Sequence, residues 1–325
     1  MKTVFILPYF GKLPNYFELY LHSIKSNKNY DWLLITDDAT VYDFPENLKV
    51  VYKSFEEIQE LFQSKFDFKI NLERPHKLCD YKPAFGYVFQ DLISNYGYWG
   101  HCDSDVIFGN FNHFIVEPQK LNYDKIFILG HLALYKNNAE NNRRFMLKIN
   151  DSYRYKEVFS IPIGTLFDEK FYKSINCIFK ENGFSLYAKN DAADISPYHY
   201  NFRLSLYKQE TNSYVLDSIK KQIFTWEEGG IYRYYKHGNT IIKEEYSYIH
   251  LQKRKMKINF DVNKYSKIII APNEFMPLQE EITLANFNNY FKKKWFNSQY
   301  FKVKWNSLKY KLKYQDYFYG AKKSI

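Results

Sequence analysis

Asp103 and Asp105 stand one residue apart, after the apolar, aromatic stretch Tyr98-Trp99-Gly100-His101-Cys102 and before a second one, Val106-Ile107-Phe108, closed by Gly109. In an extended chain alternate side chains leave from the same face, so these carboxylates point together. Such a pair can hold one hard divalent cation. Mg²⁺ or Mn²⁺ held by so few protein ligands takes water and phosphate oxygens at its remaining positions. A solvated strand end has the same appearance, so the other chemical groups decide how far the metal reading goes.

Three further stretches carry candidates. Arg74-Pro75-His76-Lys77-Leu78-Cys79-Asp80-Tyr81-Lys82-Pro83 gathers ionisable side chains and a thiol around two prolines. Lys77 and Lys82 can meet phosphate, with Asp80 orienting one of them; a capped helix start with a solvated charge cluster fits equally. Ala188 to Ser196 is acidic and irregular, and can supply a general base, Asp194 or behind it Asp191, or be an ordinary capped loop. Tyr248-Ile249-His250-Leu251-Gln252-Lys253-Arg254-Lys255 offers His250 as a third metal ligand and Lys253 or Arg254 to a diphosphate; a structural histidine before solvated bases is the competing reading. His76, Cys79, His101 and Cys102 match no common zinc spacing.

The elements that must position these groups alternate. Val4 to Phe10 is a continuous apolar run, as in a buried parallel strand. Phe17, Leu21 and Ile24 mark a helix ending near Asn27, and Trp32 to Thr36 is a second strand closed by Asp37-Asp38. Val50 to Tyr52 is a third strand, and Phe55 to Phe66 has helical spacing. The alternation predicts an α/β domain with a mostly parallel, helix-covered central sheet. Ligands of such sheets bind beyond the carboxyl ends of the strands, so Pro8, Tyr9, Asp37, Asp38 and Asp103 should converge. An amphipathic helix is expected from Pro83 to about Leu92, and another from Asn141 to Ser152. From Gln222 onward the pattern predicts a three-stranded antiparallel meander with strands at Ile223–Trp226, Ile231–Tyr235 and Ile241–Leu251, and Glu227 and Glu228 read as a hairpin corner beside Gly229-Gly230.

Composition narrows the function class. The chain has 325 residues and a formal charge of +10, but residues 291–325 hold ten Lys and a single acid, so the rest is almost neutral. A basic charge confined to one end argues against a nucleic-acid-binding body. Three widely spaced cysteines, an odd number, argue against a disulfide framework. The short apolar run at the N-terminus lacks the length of a signal peptide, and no stretch approaches a membrane span, so a cytoplasmic location is expected. The tail interleaves lysine with Phe, Trp and Tyr; it can lie in an anionic membrane interface or pack on the body.

With these residues in hand, the chain resembles the metal-dependent GT-A class of nucleotide-sugar glycosyltransferases, and more closely a bacterial group of capsule and surface-polysaccharide glycosyltransferases. The resemblance covers roughly residues 3 to 260 and rests on Leu7-Pro8-Tyr9-Phe10-Gly11, Lys77 to Pro83, Trp99 to Asp105, Gly130-His131 and Tyr248 to Arg254. It implies a Mn²⁺ or Mg²⁺ ion on Asp103, Asp105 and His250, bridging the diphosphate of a donor, by default a UDP-sugar. Pro8, Tyr9, Asp37, Asp38, Ser104, Lys77, Asp80, Lys82 and Lys253 fall on the donor side. The acceptor is then a hydroxyl of a surface glycan or lipid-linked saccharide, met by a protein peripheral on the inner face of the plasma membrane. Where the resemblance implies an acidic acceptor-side motif of two adjacent carboxylates, this chain has only Asp194 followed by Ile195.

The expected organisation is a GT-A-like catalytic domain over 1–260, with a nucleotide-binding half (1–110) and an acceptor half with the meander (111–260). A connecting segment (261–290) and the basic aromatic tail (291–325) follow. A Mg²⁺-dependent phosphohydrolase and a non-catalytic nucleotide-sugar or glycan-binding protein are the alternatives; the phosphohydrolase would place an aspartate at the end of the first strand, where this chain has Pro8-Tyr9.

Overall fold

The computed structural model describes residues 2–169, 171–252, 254–291 and 298–319. The first part alternates β1 (Thr3–Tyr9), α1 (Phe17–Lys25), β2 (Tyr30–Thr36), β3 (Leu48–Tyr52) and α2 (Phe55–Ser64), then sets β4 (Tyr98–Cys102) and β5 (Val106–Phe108) on either side of the aspartate pair. Next come β6 (Lys125–Ile126), β7 (Leu132–Lys136), α3 (Arg154–Ser160), α4 (Ile175–Glu181), β8 (Leu186–Tyr187) and β9 (Ala192–Asp194). The remainder is mainly antiparallel: β10 (Ser205–Lys208), β11 (Ser213–Leu216), β12 (Ile223–Glu227), β13 (Gly230–His237), β14 (Thr240–Tyr246), β15 (Tyr248–His250), β16 (Lys267–Ala271) and β17 (Glu274–Pro277). A long helix, α5 (Ser298–Lys313), follows.

The central sheet has seven strands in the order β3-β2-β1-β4-β7-β6-β8, and only β7 runs against the rest. This is the mostly parallel, helix-covered sheet expected from the alternation. Burial on both faces explains why β1 and β2 read as unbroken apolar runs. Phe5, Leu7, Trp32 and Leu34 enter one core with α1, β5 and β15, whereas Val4, Ile6, Leu33 and Ile35 enter the other with α2, α3 and α4. Pro8 sits beyond Ile6↔His101, the last pair between β1 and β4, where a missing N–H costs that ladder nothing.

Three local expectations give way to tertiary demands. The helix predicted from Pro83 to Leu92 keeps a single α-helical turn, Phe85–Val88, between the 3₁₀ turns Lys82–Ala84 and Gln90–Leu92. The predicted helix from Asn141 keeps only a 3₁₀ stretch, Asn141–Met146. The third strand of the meander splits at Ser247: β14 stays with β13, while β15 pairs antiparallel with β5 and parallel with β9. The corner itself is as expected, with Glu228 and Gly229 both at positive φ (50° and 93°), as a tight two-residue hairpin requires. Residues 267–277, within the segment read as a connector, add β16 and β17 to the same sheet, in the order β14-β13-β12-β16-β17.

Lys77 and Asp80 do not face a ligand as expected. Both are buried, and their side chains pair at 2.7 Å. The Lys77 ammonium further donates to the carbonyls of Val158 (2.9 Å) and Ile163 (2.6 Å). The Asp80 carboxylate accepts from the Thr165 amide and hydroxyl and from the Phe167 amide. They clamp the irregular segment after α3 to the body and face no ligand space. Burial pulls the Lys77 ammonium down from its ordinary pKa against the attraction of Asp80. Lys77→Ala should therefore cost about 3 kcal/mol of stability in urea unfolding, because it strands a buried carboxylate and two carbonyls. Nucleotide binding by the folded fraction should be unchanged.

Candidate functional site

A cavity of about 1140 Å³ opens at the carboxyl ends of β1 and β4. A second, of about 860 Å³, adjoins it. Asp103, Asp105, Lys82 and Lys255 line both, so the aspartate pair stands at the seam between two ligand-sized spaces. Asp103 follows the last residue of β4, its amide donating to the His131 carbonyl at 3.0 Å. Asp105 leads into β5, and its carbonyl accepts the Leu251 amide at 2.8 Å. The β5–β15 register, His250↔Val106, then sets His250 beside Asp105 across a sequence separation no local pattern spans.

One ligand atom from each of Asp103, Asp105 and His250 lies within 4.8 Å of the others. His250 Nε2 is 3.4 Å from Asp105 Oδ1. Its other nitrogen, Nδ1, is 2.8 Å from Asp194 Oδ1, which also accepts from Gln252 Nε2 at 2.7 Å. Two carboxylates and an imidazole whose far nitrogen is held by a third carboxylate form a donor set that fits a hard divalent cation. His131 stacks on His250 with ring centroids 4.3 Å apart, and its Nδ1 shares a hydrogen bond with the Tyr248 hydroxyl at 2.8 Å.

Charge in this buried place is balanced from behind. The Lys82 ammonium meets Asp103 at 2.6 Å, the Gly130 carbonyl at 2.7 Å and Asp168 at 3.3 Å. Burial and the neighbouring Asp105 raise the Asp103 carboxyl, but the charge and hydrogen bond of Lys82 together with His250 outweigh them and the net shift is downward. Asp168, left with the longer contact, is pushed up to about 7, by burial first and then against Lys82 by its acidic neighbours. His131 falls to about 4 through burial and the adjacent His250. For His250 burial works against the proton, yet Asp105 and Asp194 overcome it and hold the imidazolium well above its ordinary range.

Of the residues expected on the donor side, Pro8, Tyr9, Ser104, Asp103 and Lys82 line the first cavity. Asp37 and Asp38 act one step back: Asp37 accepts the Gly11 amide at 2.7 Å and Asp38 the Leu13 amide at 3.0 Å, which shapes the loop that lines the cavity. Lys253 lies outside the described residues. Arg254 is buried, and its guanidinium is used on the carbonyls of Ser196, His199 and Tyr200; among the described residues of the basic run, Lys255 lines both cavities.

The two residues named as base are occupied otherwise. Asp194 lines the second cavity, but its Oδ1 is held by His250 and Gln252, whereas Asp191 pairs with Lys189 at 2.9 Å and lines neither large cavity. Asp168 and Glu169, which line the same cavity, carried no signal in the sequence, because an isolated acidic pair in an irregular stretch acquires meaning only when Lys82 is found against it.

Residues 5–279 match a protein family described as "Family of unknown function (DUF6625)". No curated protein matches the chain in sequence. Solved structures similar to it include the apo form of mouse xyloside xylosyltransferase 1, with TM-score 0.38 and 8% identity, covering 60% of this chain and 88% of that one. Another is galactosyltransferase LgtC in complex with donor and acceptor sugar analogs, with TM-score 0.34 and 10% identity, covering 61% of this chain and 77% of that one.

The geometry dictates how metal binding responds to mutation and pH. Titration calorimetry with Mn²⁺ should give one site, abolished by Asp103→Asn or Asp105→Asn and weakened roughly 10- to 100-fold by Asp194→Asn, which removes the group that orients His250. Because the folded pKa of His250 is raised, its proton stabilises the metal-free fold below about pH 6.5, and that contribution is lost as pH rises through the folded value. A cation must displace this proton. Mn²⁺ affinity should therefore increase with pH up to the raised folded pKa of His250 and level off once it is passed, with proton release falling to zero there.

Proposed function

We propose that this chain, which belongs to the family of unknown function DUF6625, is a metal-dependent glycosyltransferase of the GT-A class. The observation that carries the reading is the convergence of Asp103, Asp105 and His250 at the seam of two cavities, beyond the carboxyl ends of a mostly parallel sheet. One cavity suits a nucleotide-sugar donor, by the sequence resemblance a UDP-hexose or UDP-N-acetylhexosamine. The other suits a saccharide acceptor, in the same reading part of a bacterial surface glycan. The protein would work at the cytoplasmic face of the membrane.

In this reading Pro8 and Tyr9 border the nucleoside, and Asp103, Asp105 and His250 would hold Mn²⁺ or Mg²⁺ against the diphosphate. When bound, such an ion stabilises the charge that develops on the leaving diphosphate. The chain's own groups do the rest. Lys82 keeps Asp103 ionised, Asp194 keeps the His250 Nε2 lone pair directed at the site, and Lys255 adds positive charge at the diphosphate. The sugar carbon becomes oxocarbenium-like as its bond breaks. Asp168, facing the second cavity with a carboxyl poised near neutrality, takes the proton from the attacking hydroxyl in an inverting path.

The test is nucleoside diphosphate release from a panel of nucleotide sugars, with and without Mn²⁺. Release from one donor that requires the metal and is lost in Asp103→Asn supports the reading; no metal-dependent binding of any nucleotide would overturn it. With an acceptor identified, Asp168→Asn should lower transfer by about 10²-fold or more while Mn²⁺-dependent nucleotide binding stays intact. Since Asp168 acts as a base only when ionised, the native rate should rise with pH through about 7, and the variant should lack that limb.

A further inference from the structure

Helix α5 has two faces with different business. On its inner side the Tyr310 hydroxyl accepts from Arg74 at 3.0 Å and from the Gly164 amide at 2.9 Å, and the Arg74 guanidinium lies 4.9 Å from the ring centres of both Tyr310 and Tyr314. Lys302, Val303 and Asn306 of the same helix form part of the wall of the second cavity. The helix is thus fastened to the body directly over the space assigned above to the acceptor.

Its outer side is apolar and faces solvent. Phe301, Trp305, Leu308 and Leu312 are 62, 57, 48 and 61% exposed. At 100° per residue they fall within an arc of roughly 60°, one continuous stripe rather than scattered exposed residues. Lys302, Lys309 and Lys313 border it on one side and Lys304 and Lys311 on the other, and Ser298–Lys313 contains no acid. No helix among the described residues is long and apolar enough to cross a membrane.

Resting on the transferase reading, we infer that the outer face of α5 lies in the surface of an anionic lipid bilayer, and that the acceptor is consequently a saccharide carried on a lipid of that surface. Charge complementarity selects this occupant. A stripe rimmed by lysines matches anionic headgroups, with the aromatic and aliphatic side chains below them. A second copy of the chain would bring lysine against lysine. With the helix in the interface, the cavity wall it forms stands about one helix diameter, roughly 10 Å, from the lipid. A short lipid-borne saccharide reaches that far.

The test uses the full chain with vesicles of phosphatidylcholine, with and without phosphatidylglycerol. Co-sedimentation should require phosphatidylglycerol and weaken with salt. Trp305→Ser/Leu308→Ser should abolish it, and Lys309→Gln/Lys311→Gln/Lys313→Gln should reduce partitioning about five-fold per lysine. Mn²⁺-dependent nucleotide binding by both variants should equal that of the native chain, which checks folding and separates failure here from failure of the transferase reading. Transfer to a lipid-linked saccharide should fall in Trp305→Ser/Leu308→Ser, and transfer to the same saccharide free in solution should not. Absence of vesicle binding, binding insensitive to both variants, or self-association in ultracentrifugation that Trp305→Ser/Leu308→Ser removes would each overturn the inference.

Discussion

The ion pair between Lys82 and Asp103 underlies the rest of the site. Asp103, Asp105, Asp168 and Asp194 crowd into one partly buried volume, where uncompensated carboxylates would take up protons rather than stay charged. Lys82, almost fully buried, sits among them with two carboxylates and the Gly130 carbonyl as partners, and its pKa is held far above the ordinary lysine value despite burial. The arrangement leaves no room behind it. A Cβ on Gly130 would stand 2.5 Å from Asp168 Oδ2, so a side chain there would push on a carboxylate that Lys82 holds.

His250 solves a second problem of the same kind. A histidine at the end of a hairpin strand would ordinarily face solvent, but the break at Ser247 redirects the chain into the space between β5 and β9. The crossing is tight: a Cβ on Gly109 would meet the Tyr246 carbonyl at 2.5 Å, and the Gly109 amide donates to the Ser247 carbonyl at 2.8 Å. Bringing three strands together here places a metal-ligating nitrogen next to Asp105 and its supporting carboxylate, Asp194, in register with it at His250↔Asp194. The same pairing makes Asp194 a weaker base: against burial, His250, His131 and Gln252 hold its carboxyl below the ordinary range.

Much of this was legible in the residues themselves. The strands at Thr3–Tyr9 and Tyr30–Thr36, the helices α1 and α2, the aspartate pair at a strand end and the Glu228-Gly229 corner all follow from patterns a few residues long. Misreadings arose where a local pattern was ambiguous between binding and packing. Lys77-Leu78-Cys79-Asp80 and Lys82 look alike as a charged cluster, yet Lys77 and Asp80 were drawn into the body by bare backbone groups after α3, whereas Lys82 reached the site. The predicted helix through Leu92 survives only as the turn Phe85–Val88, where Gly86 packs against the Trp99 ring, 2.2 Å from where a Cβ would be.

By itself the sequence determined the class of sheet, the carboxylate pair and the segregation of positive charge at one end, since each rests on periodicity, residue chemistry or counting. Tertiary structure alone decided which polar groups share a dielectric. It assigned Asp194 to His250 and Asp168 to Lys82, extended the meander with β16 and β17, and laid one face of α5 over the second cavity while leaving the other exposed. These are contacts between residues tens to hundreds of positions apart, and a buried charge finds its partner by proximity in space, which no spacing along the chain encodes.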